Sequence, residues 1–326
     1  MRCLKFIIQY LELFLNIATF YFGKLLSMTY YILANPYSGN GQGKRVTKAL
    51  IPYLDQQGIP YHLFETQHAF DEARLIKVMI NHMTSLDRVL IIGGDGTLSL
   101  ALNALPPTQA FSYIPAGSGN DFARALDIPL NQPIKTFKRL HQAIPQNIHI
   151  LKYESTDMTG IAMNNIGIGL DAAIVAATNK GAIKQLLNKI KLGRLAYLLN
   201  AVTVLFSKRP FSITVNHTEF KQAFLFTMTK HPFFGGGIPL VPEASPLDSD
   251  IHLVELDRFN PFGIVALIPK VFKHKHFANQ HVHHQVSLSF DLQITSDQPM
   301  QIDGEAYVLK ANQMLHVNTE KRFILN

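Results

Sequence analysis

The sequence predicts two unlike halves, an α/β domain on a parallel sheet followed by a β-rich sandwich. Three observations predict them. From Met28 to about residue 148, short apolar strands alternate with helical segments. Three of those strands run directly into glycine-rich turns. Beyond residue 148 strands succeed one another, several with the period-two alternation of a half-buried sheet. A chain of 326 residues has room for two such cores. The expected division is 28–148 and 149–326.

Tyr30–Ala34 is apolar throughout, as a strand buried on both faces must be. Lys44–Gln57 reads as a helix ended by Gly58, Tyr61–Glu65 as a strand and Ala69–Met83 as a helix. Arg88–Ile92 is a third strand, followed by a helix to about Ala104 and the strand Ala110–Ile114. Such alternation gives a parallel sheet covered on both faces, which takes ligands at the carboxyl ends of its strands. In the second half His149–Glu154, Ile161–Asn165, Phe211–Val215, Gln222–Thr229, Ile251–Leu256, Val286–Phe290 and Met314–Val317 read as strands. A basic helical stretch, Ile183–Phe206, interrupts them.

The apolar run Phe6–Phe22 is broken by Gln9, Glu12 and Asn16, and no small-residue cleavage motif follows it. Residues 1–27 are expected to be an upstream extension or a misassigned start, with an interfacial helix as the alternative. Apolar residues at 47% and charged residues at 16% exclude disordered and fibrous classes. The single Cys3 excludes a disulfide scaffold and a Cys-based zinc site, and fits the cytoplasm. The formal charge is +7, and Ala172–Thr218 holds seven Lys and Arg with no Asp or Glu. Such a segment suits an anionic membrane surface or a phosphate-rich ligand, with a solvated helix face as the bland reading. Nucleic acid is not expected, because aromatics are not interleaved with the charges. His274, His276, His281, His283 and His284 lie near Lys270, Lys273 and Lys275. They read as a solvated edge that gains charge below about pH 6.5, with metal binding as the alternative, although no Cys flanks them and no fixed ligand spacing is evident.

The glycine-rich turns carry the chemistry. Asn35-Pro36-Tyr37-Ser38-Gly39-Asn40-Gly41-Gln42-Gly43 follows the first strand, where bare backbone N–H groups and a helix start can meet phosphate. It is neither a Walker A loop nor G-x-G-x-x-G. Gly93-Gly94-Asp95-Gly96-Thr97 holds one carboxylate in a tight turn, able to reach a phosphate or its Mg²⁺, with Thr97 placed to cap the next helix. Pro115-Ala116-Gly117-Ser118-Gly119-Asn120-Asp121 is the third loop. Three such loops at one sheet edge imply a nucleotide site.

These motifs, with Asn165–Ala172, Leu192–Tyr197, Gly235-Gly236-Gly237, Pro242-Glu243-Ala244 and Ile302-Asp303-Gly304-Glu305, resemble the diacylglycerol kinase catalytic-domain family of lipid kinases. The resemblance runs from Asn35 to Glu305. It implies an NAD kinase-like nucleotide-binding domain, a lipid-substrate sandwich, and transfer of the γ-phosphoryl group of ATP to a lipid hydroxyl. By motif, Asn35, Pro36, Tyr37, Ser38, Gly39, Thr66, Gly94, Asp95, Gly96, Thr97, Leu98, Ser99, Leu100 and Ser118 would contact ATP. Asp95 would join Asp303 and Glu305 in catalysis, one of that pair taking the hydroxyl proton, with Glu305 preferred as the base and Asp303 as the alternative. Ser245, Asp248 and Asp250 would hold a structural Mg²⁺. The sequence departs from the family at Asp248-Ser249, where Asp-Gly is usual, and at Lys230-His231, where an Asn is common. The helix start Leu98-Ser99-Leu100 also lacks the usual Asn-Glu. The expected partners are ATP, a membrane lipid and an anionic membrane surface, with peripheral attachment and a homodimer left open. A kinase of a soluble substrate such as NAD, or a nucleotide-binding protein without turnover, is the rival reading.

Overall fold

The computed structural model describes residues 28–179 and 203–326. The N-terminal extension and residues 180–202 of the acid-free segment lie outside the described residues. In the first half β1 (Tyr30–Ala34), β2 (Tyr61–Glu65), β3 (Arg88–Gly93) and β4 (Phe111–Pro115) form a parallel sheet in the order β2-β1-β3-β4. Alternate strand residues feed two cores, as a period of two requires. Tyr31, Leu33, Val89 and Ile91 pack against α2 (Glu72–His82) and α3 (Asp95–Ala104). Tyr30, Ile32, Leu90 and Ile92 pack against α1 (Ser38–Gln56) and α5 (Pro133–Gln142) on the other face. A short α4 (Asp121–Ala125) follows β4. Because β2 and β3 flank β1 on opposite sides, the chain reverses direction across the sheet between β1 and β3. The crevice therefore opens at the carboxyl ends of those two strands.

The second half is a sandwich-like array of antiparallel strands. β5 (Pro145–Glu154), β6 (Thr159–Ala162) and β7 (Asn165–Gly169) lead to α6 (Leu170–Asn179). β8 (Phe211–Val215), β9 (Thr218–Thr229), β10 (Phe233–Phe234), β11 (Ile238–Pro239) and β12 (Ile251–Asp257) follow. α7 (Pro261–Phe272), β13 (Val282–Ser287), β14 (Phe290–Ile294), β15 (Gln298–Ile302), β16 (Glu305–Leu309) and β17 (Met314–Leu325) complete it. β17 pairs antiparallel with β14 and β5, then places Ile324 and Leu325 parallel to β4. The last strand thus belongs to both sheets and joins them.

Two expected strands divide. Ile161–Asn165 breaks into β6 and β7 because the N–H groups of Met163, Asn164 and Asn165 all turn to the Asp303 carboxylate. Val286–Phe290 breaks at Leu288-Ser289, where the chain leaves β12's neighbour β13 to enter β14 beside β8. α2 begins at Glu72 rather than Ala69, because Phe70 is left-handed at φ 63°.

A buried polar trio ties α6 to the sandwich. Gln301 Nε2 donates to Asp171 Oδ2 at 3.1 Å and to Asn165 Oδ1, and Gln301 Oε1 accepts from Gly304 N at 2.8 Å. Burial pushes the Asp171 carboxyl up to about 6. A carboxyl with a raised folded pKa takes up protons on folding, so its contribution to stability falls as pH rises from about 4 to about 6. Asp171→Asn, neutral throughout, should gain on the wild type across that interval. Denaturant melts at about pH 4 and 7 test this; a stability difference that does not move with pH would refute it.

Candidate active site

The three glycine-rich loops meet at the crevice. Gly94 and Gly117 lie against each other, so that a Cβ on Gly117 would stand 2.6 Å from Gly94 Cα. Gly39, Asn40 and Gly41 are all left-handed, which interrupts α1 after its first residue and keeps the loop beside the crevice. Asn35 organises the entry to the first loop. Its Oδ1 accepts from Tyr37 N at 3.0 Å, and its Nδ2 donates to Thr97 Oγ1 at 3.0 Å. The Thr97 hydroxyl is therefore directed to Asn35, and α3 starts from Gly94 without a side-chain cap.

Asp95 joins the second loop to the third. Its carboxylate accepts from Asp121 N at 3.2 Å and from Phe122 N at 3.4 Å, at the start of α4. Asp121 Oδ2 accepts in turn from Gly236 N at 2.8 Å, in the Gly235-Gly236-Gly237 turn of the second half. Burial first, and the Asp121 charge second, push the Asp95 carboxyl up to about 6. Its ionised form is costly here, and a cation brought by a ligand would relieve that cost.

The loops line an open cavity of about 420 Å³. Asn35, Ser38, Gly39, Gly94, Asp95, Gly96, Thr97, Leu100 and Ser118 line it, and Glu305 reaches it from the second half. Pro36 and Tyr37 stand outside the wall, with Tyr37 71% exposed. Thr66 is buried at the exit of β2, its N–H on Ala34 O, and Leu98 is a core side chain. Ser99 faces a second, smaller pocket of about 120 Å³, shared with Tyr153, Asp303 and Tyr307. Gly96, Leu100 and Glu305 belong to both walls, so the two spaces adjoin at the Glu305 side chain.

Three lining residues, Ala69, Phe70 and Glu72, are absent from the sequence reading of the site, and one of them is ionisable. Glu72, in the first turn of α2, is 3% exposed, and its Oε2 has no hydrogen-bond partner among the described residues. Burial raises its pKa. Its only sequence signal is an acid next to Asp71 at a helix start.

The two acids of the Asp303-Gly304-Glu305 turn are unlike. Asp303 (φ 50°) and Gly304 (φ 87°) are both left-handed, as a two-residue type I′ hairpin between β15 and β16 requires. The Asp303 carboxylate accepts from Met163 N at 2.7 Å, Asn164 N at 2.8 Å and Asn165 N at 3.1 Å, on a pocket wall that Ser99 shares. Those donors already hold both oxygens. Glu305 is exposed and faces the cavity.

The loop expected to hold Mg²⁺ is engaged differently. Lys230, 1% exposed, donates from Nζ to Asp248 O at 2.7 Å and to Asp250 O. Ser245 O accepts from Asp248 N at 3.3 Å. The Lys230 ammonium thus stands beside the expected Mg²⁺ loop, where its charge opposes a divalent cation, although it meets the backbone carbonyls of Asp248 and Asp250 and not their carboxylates. Ser245, Asp248 and Asp250 lie outside the cavity wall. Lys230→Met should destabilise the fold by about 2–3 kcal/mol, since two carbonyls lose a charged donor. EDTA and excess Mg²⁺ should leave the wild-type Tm unchanged, and a Tm that rises with Mg²⁺ without nucleotide would restore the metal.

Residues 29–153 match the family model described as diacylglycerol kinase catalytic domain. Residues 164–314 match the YegS C-terminal NAD kinase beta sandwich-like domain. The chain is 26% identical over 280 residues to a diacylglycerol kinase of Bacillus subtilis, covering 84% of this chain and 88% of that one. It is 27% identical over 254 residues to a diacylglycerol kinase of Mycobacterium tuberculosis, covering 75% and 78%. The crystal structure of a diacylglycerol kinase from Bacillus anthracis shares the fold, with a TM-score of 0.65 at 17% identity over 92% of this chain and 96% of that one. With one model on each half and the phosphate loops in the first, the chain belongs to the diacylglycerol kinase catalytic-domain family of lipid kinases.

Proposed function

We propose that the protein transfers the γ-phosphoryl group of Mg·ATP to the hydroxyl of diacylglycerol or a related lipid alcohol, with Glu305 as the base. The observation that carries this reading is the position of Glu305 on the wall shared by the loop cavity and the smaller pocket beyond it. A triphosphate in the first space and a hydroxyl in the second would meet at its carboxylate. The hydroxyl oxygen attacks the γ-phosphorus, its proton passes to Glu305, and the bond from γ-phosphorus to the bridging oxygen breaks to release ADP. Loop N–H groups hold the phosphates, and Asp95 faces the Mg²⁺ that arrives with them. Among the described residues no Lys or Arg lines the cavity, whereas Glu72, Asp95 and Glu305 do. Bare ATP is thus repelled, which favours its magnesium complex as substrate.

Glu305→Gln should lower kcat by about 10²–10⁴-fold with unchanged Tm, as loss of a base does. Asp303→Asn should lower kcat and also destabilise the fold by about 1–3 kcal/mol, because backbone donors lose their acceptor. Phosphotransfer assays on lipid extract and on NAD, with denaturant melts, check both. Unchanged kcat in Glu305→Gln, or transfer to NAD alone, would overturn the reading.

Access to a bilayer has its own support. α7 exposes Phe262, Val265, Ile268 and Phe272 along one stripe while Ile264 and Leu267 are buried beneath it. Phe206 extends the stripe by an edge contact with Phe262, ring centroids 6.0 Å apart. Lys270, Lys273 and Lys275 follow, and Lys208 and Arg209 adjoin Phe206. An apolar stripe rimmed by cations suits the interface of an anionic membrane. Among the described residues no helix is long and apolar enough to cross one. Phe262→Ser with Ile268→Ser should weaken binding to anionic vesicles at least about tenfold, at about 1–2 kcal/mol for each apolar side chain withdrawn from lipid. Unchanged vesicle flotation would remove α7 from the contact.

A further inference from the structure

The β12–β13 ladder carries a cluster of ligating side chains outside the cleft. Glu255 and His283 are direct cross-strand partners. Asp257 follows two residues on, where a bulge against β9 between Leu256 and Asp257 re-aims the strand end. His283 Nε2 stands 3.1 Å from Asp257 Oδ2 and 3.7 Å from Glu255 Oε2. In a tetrahedral site with bonds of 2.0–2.2 Å, neighbouring ligand atoms lie about 3.3–3.6 Å apart. The two distances from His283 bracket that spacing, one just below it and one just above.

Glu255 supplies the second observation. Its side chain is 0% exposed, and neither Oε1 nor Oε2 has a hydrogen-bond partner among the described residues. A buried carboxylate without donors is costly, and here a second carboxylate lies beside it. Among the described residues only histidines come within ion-pair distance of Glu255 or Asp257. Two carboxylates and a neutral imidazole leave a formal charge of −2, which one divalent cation balances.

We propose that Glu255, Asp257 and His283 form a binding site for one Zn²⁺-type transition-metal cation, with a remaining position open to water. The imidazole favours such an ion over Mg²⁺ or Ca²⁺. A groove of about 820 Å³, lined by Asp257, His281 and His283 and reaching β9 at Phe220, lets a hydrated cation in. His281 is a positioning residue. Its Nδ1 lies 3.7 Å from Asp257 Oδ2, and its ring stacks on Phe259 with centroids 4.4 Å apart. Among the described residues β13 pairs with β12 alone, so the ion would clamp an edge strand. The neighbouring Glu243, His252 and His284 differ, because Glu243 is exposed to solvent, whereas the Glu255 carboxylate is buried without a hydrogen-bond partner among the described residues.

The test is calorimetric titration of the EDTA-treated full chain with ZnCl₂, with thermal melts in Zn²⁺ and in EDTA. The wild type should bind one Zn²⁺ per chain and melt higher in its presence. Glu255→Gln and His283→Gln should each weaken binding at least about tenfold, whereas His284→Gln should not. Glu255 has no hydrogen bond to lose, so Glu255→Gln should melt in EDTA no lower than the wild type. If it fails to fold, His283→Gln carries the test, because that side chain is 41% exposed. The proposal is overturned if the wild type binds no Zn²⁺, if the variants that fold bind it as the wild type does, or if only His284→Gln weakens it.

Discussion

The cleft is held together by carboxylates that accept from backbone N–H groups across chain breaks. Asp95 fastens the second phosphate loop to the start of α4, and Asp121 fastens α4 to the Gly236 turn. Asp303 fastens the β15–β16 hairpin to the junction of β6 and β7. A hydrogen bond to a charged acceptor contributes roughly 1.5–3 kcal/mol, more than a neutral one. Distributed in this way, a few acids fix the relative position of loops far apart in sequence. The apolar cores stabilise each half, but they do not set where Glu305 stands against Gly94 and Ser118.

This division of labour explains why neighbouring acids serve different ends. In a type I′ turn both central residues must be left-handed, a conformation that favours Asp or Asn followed by Gly. Asp303 meets that demand, and its side chain folds back onto the 163–165 backbone. Glu305 begins the next strand beyond the turn, with a longer side chain and an exposed position. The constraint that immobilises the first acid is what aims the second.

Much of this was legible in the sequence, for physical reasons. Doubly buried strands such as Tyr30–Ala34 and the Val89–Ile92 run of β3 are apolar at every position, and their glycine-rich exits mark the ligand edge. The inequality of Asp303 and Glu305 was not legible, because it depends on donors some 140 residues away. Nor was the place of Lys230, whose buried ammonium reaches carbonyls 18 and 20 residues on. α7 was missed for a different reason. Pro261–Phe272 is apolar on the buried and exposed faces alike, so it lacks the polar face by which a surface helix announces itself.

The electrostatics of the two halves point in opposite directions, and that contrast bears on how they would work together. The described cavity wall is acidic, with Asp95 held up near 6 and Glu72 raised by burial. The described surface around α7 is cationic and apolar. On the proposed function, this arrangement would favour an anionic bilayer without drawing bare triphosphate into the cleft, since attraction and repulsion are separated in space. Charge neutralisation inside would then fall to the cation that a nucleotide brings, and catalysis would wait until nucleotide, cation and a lipid hydroxyl stood beside Glu305 together.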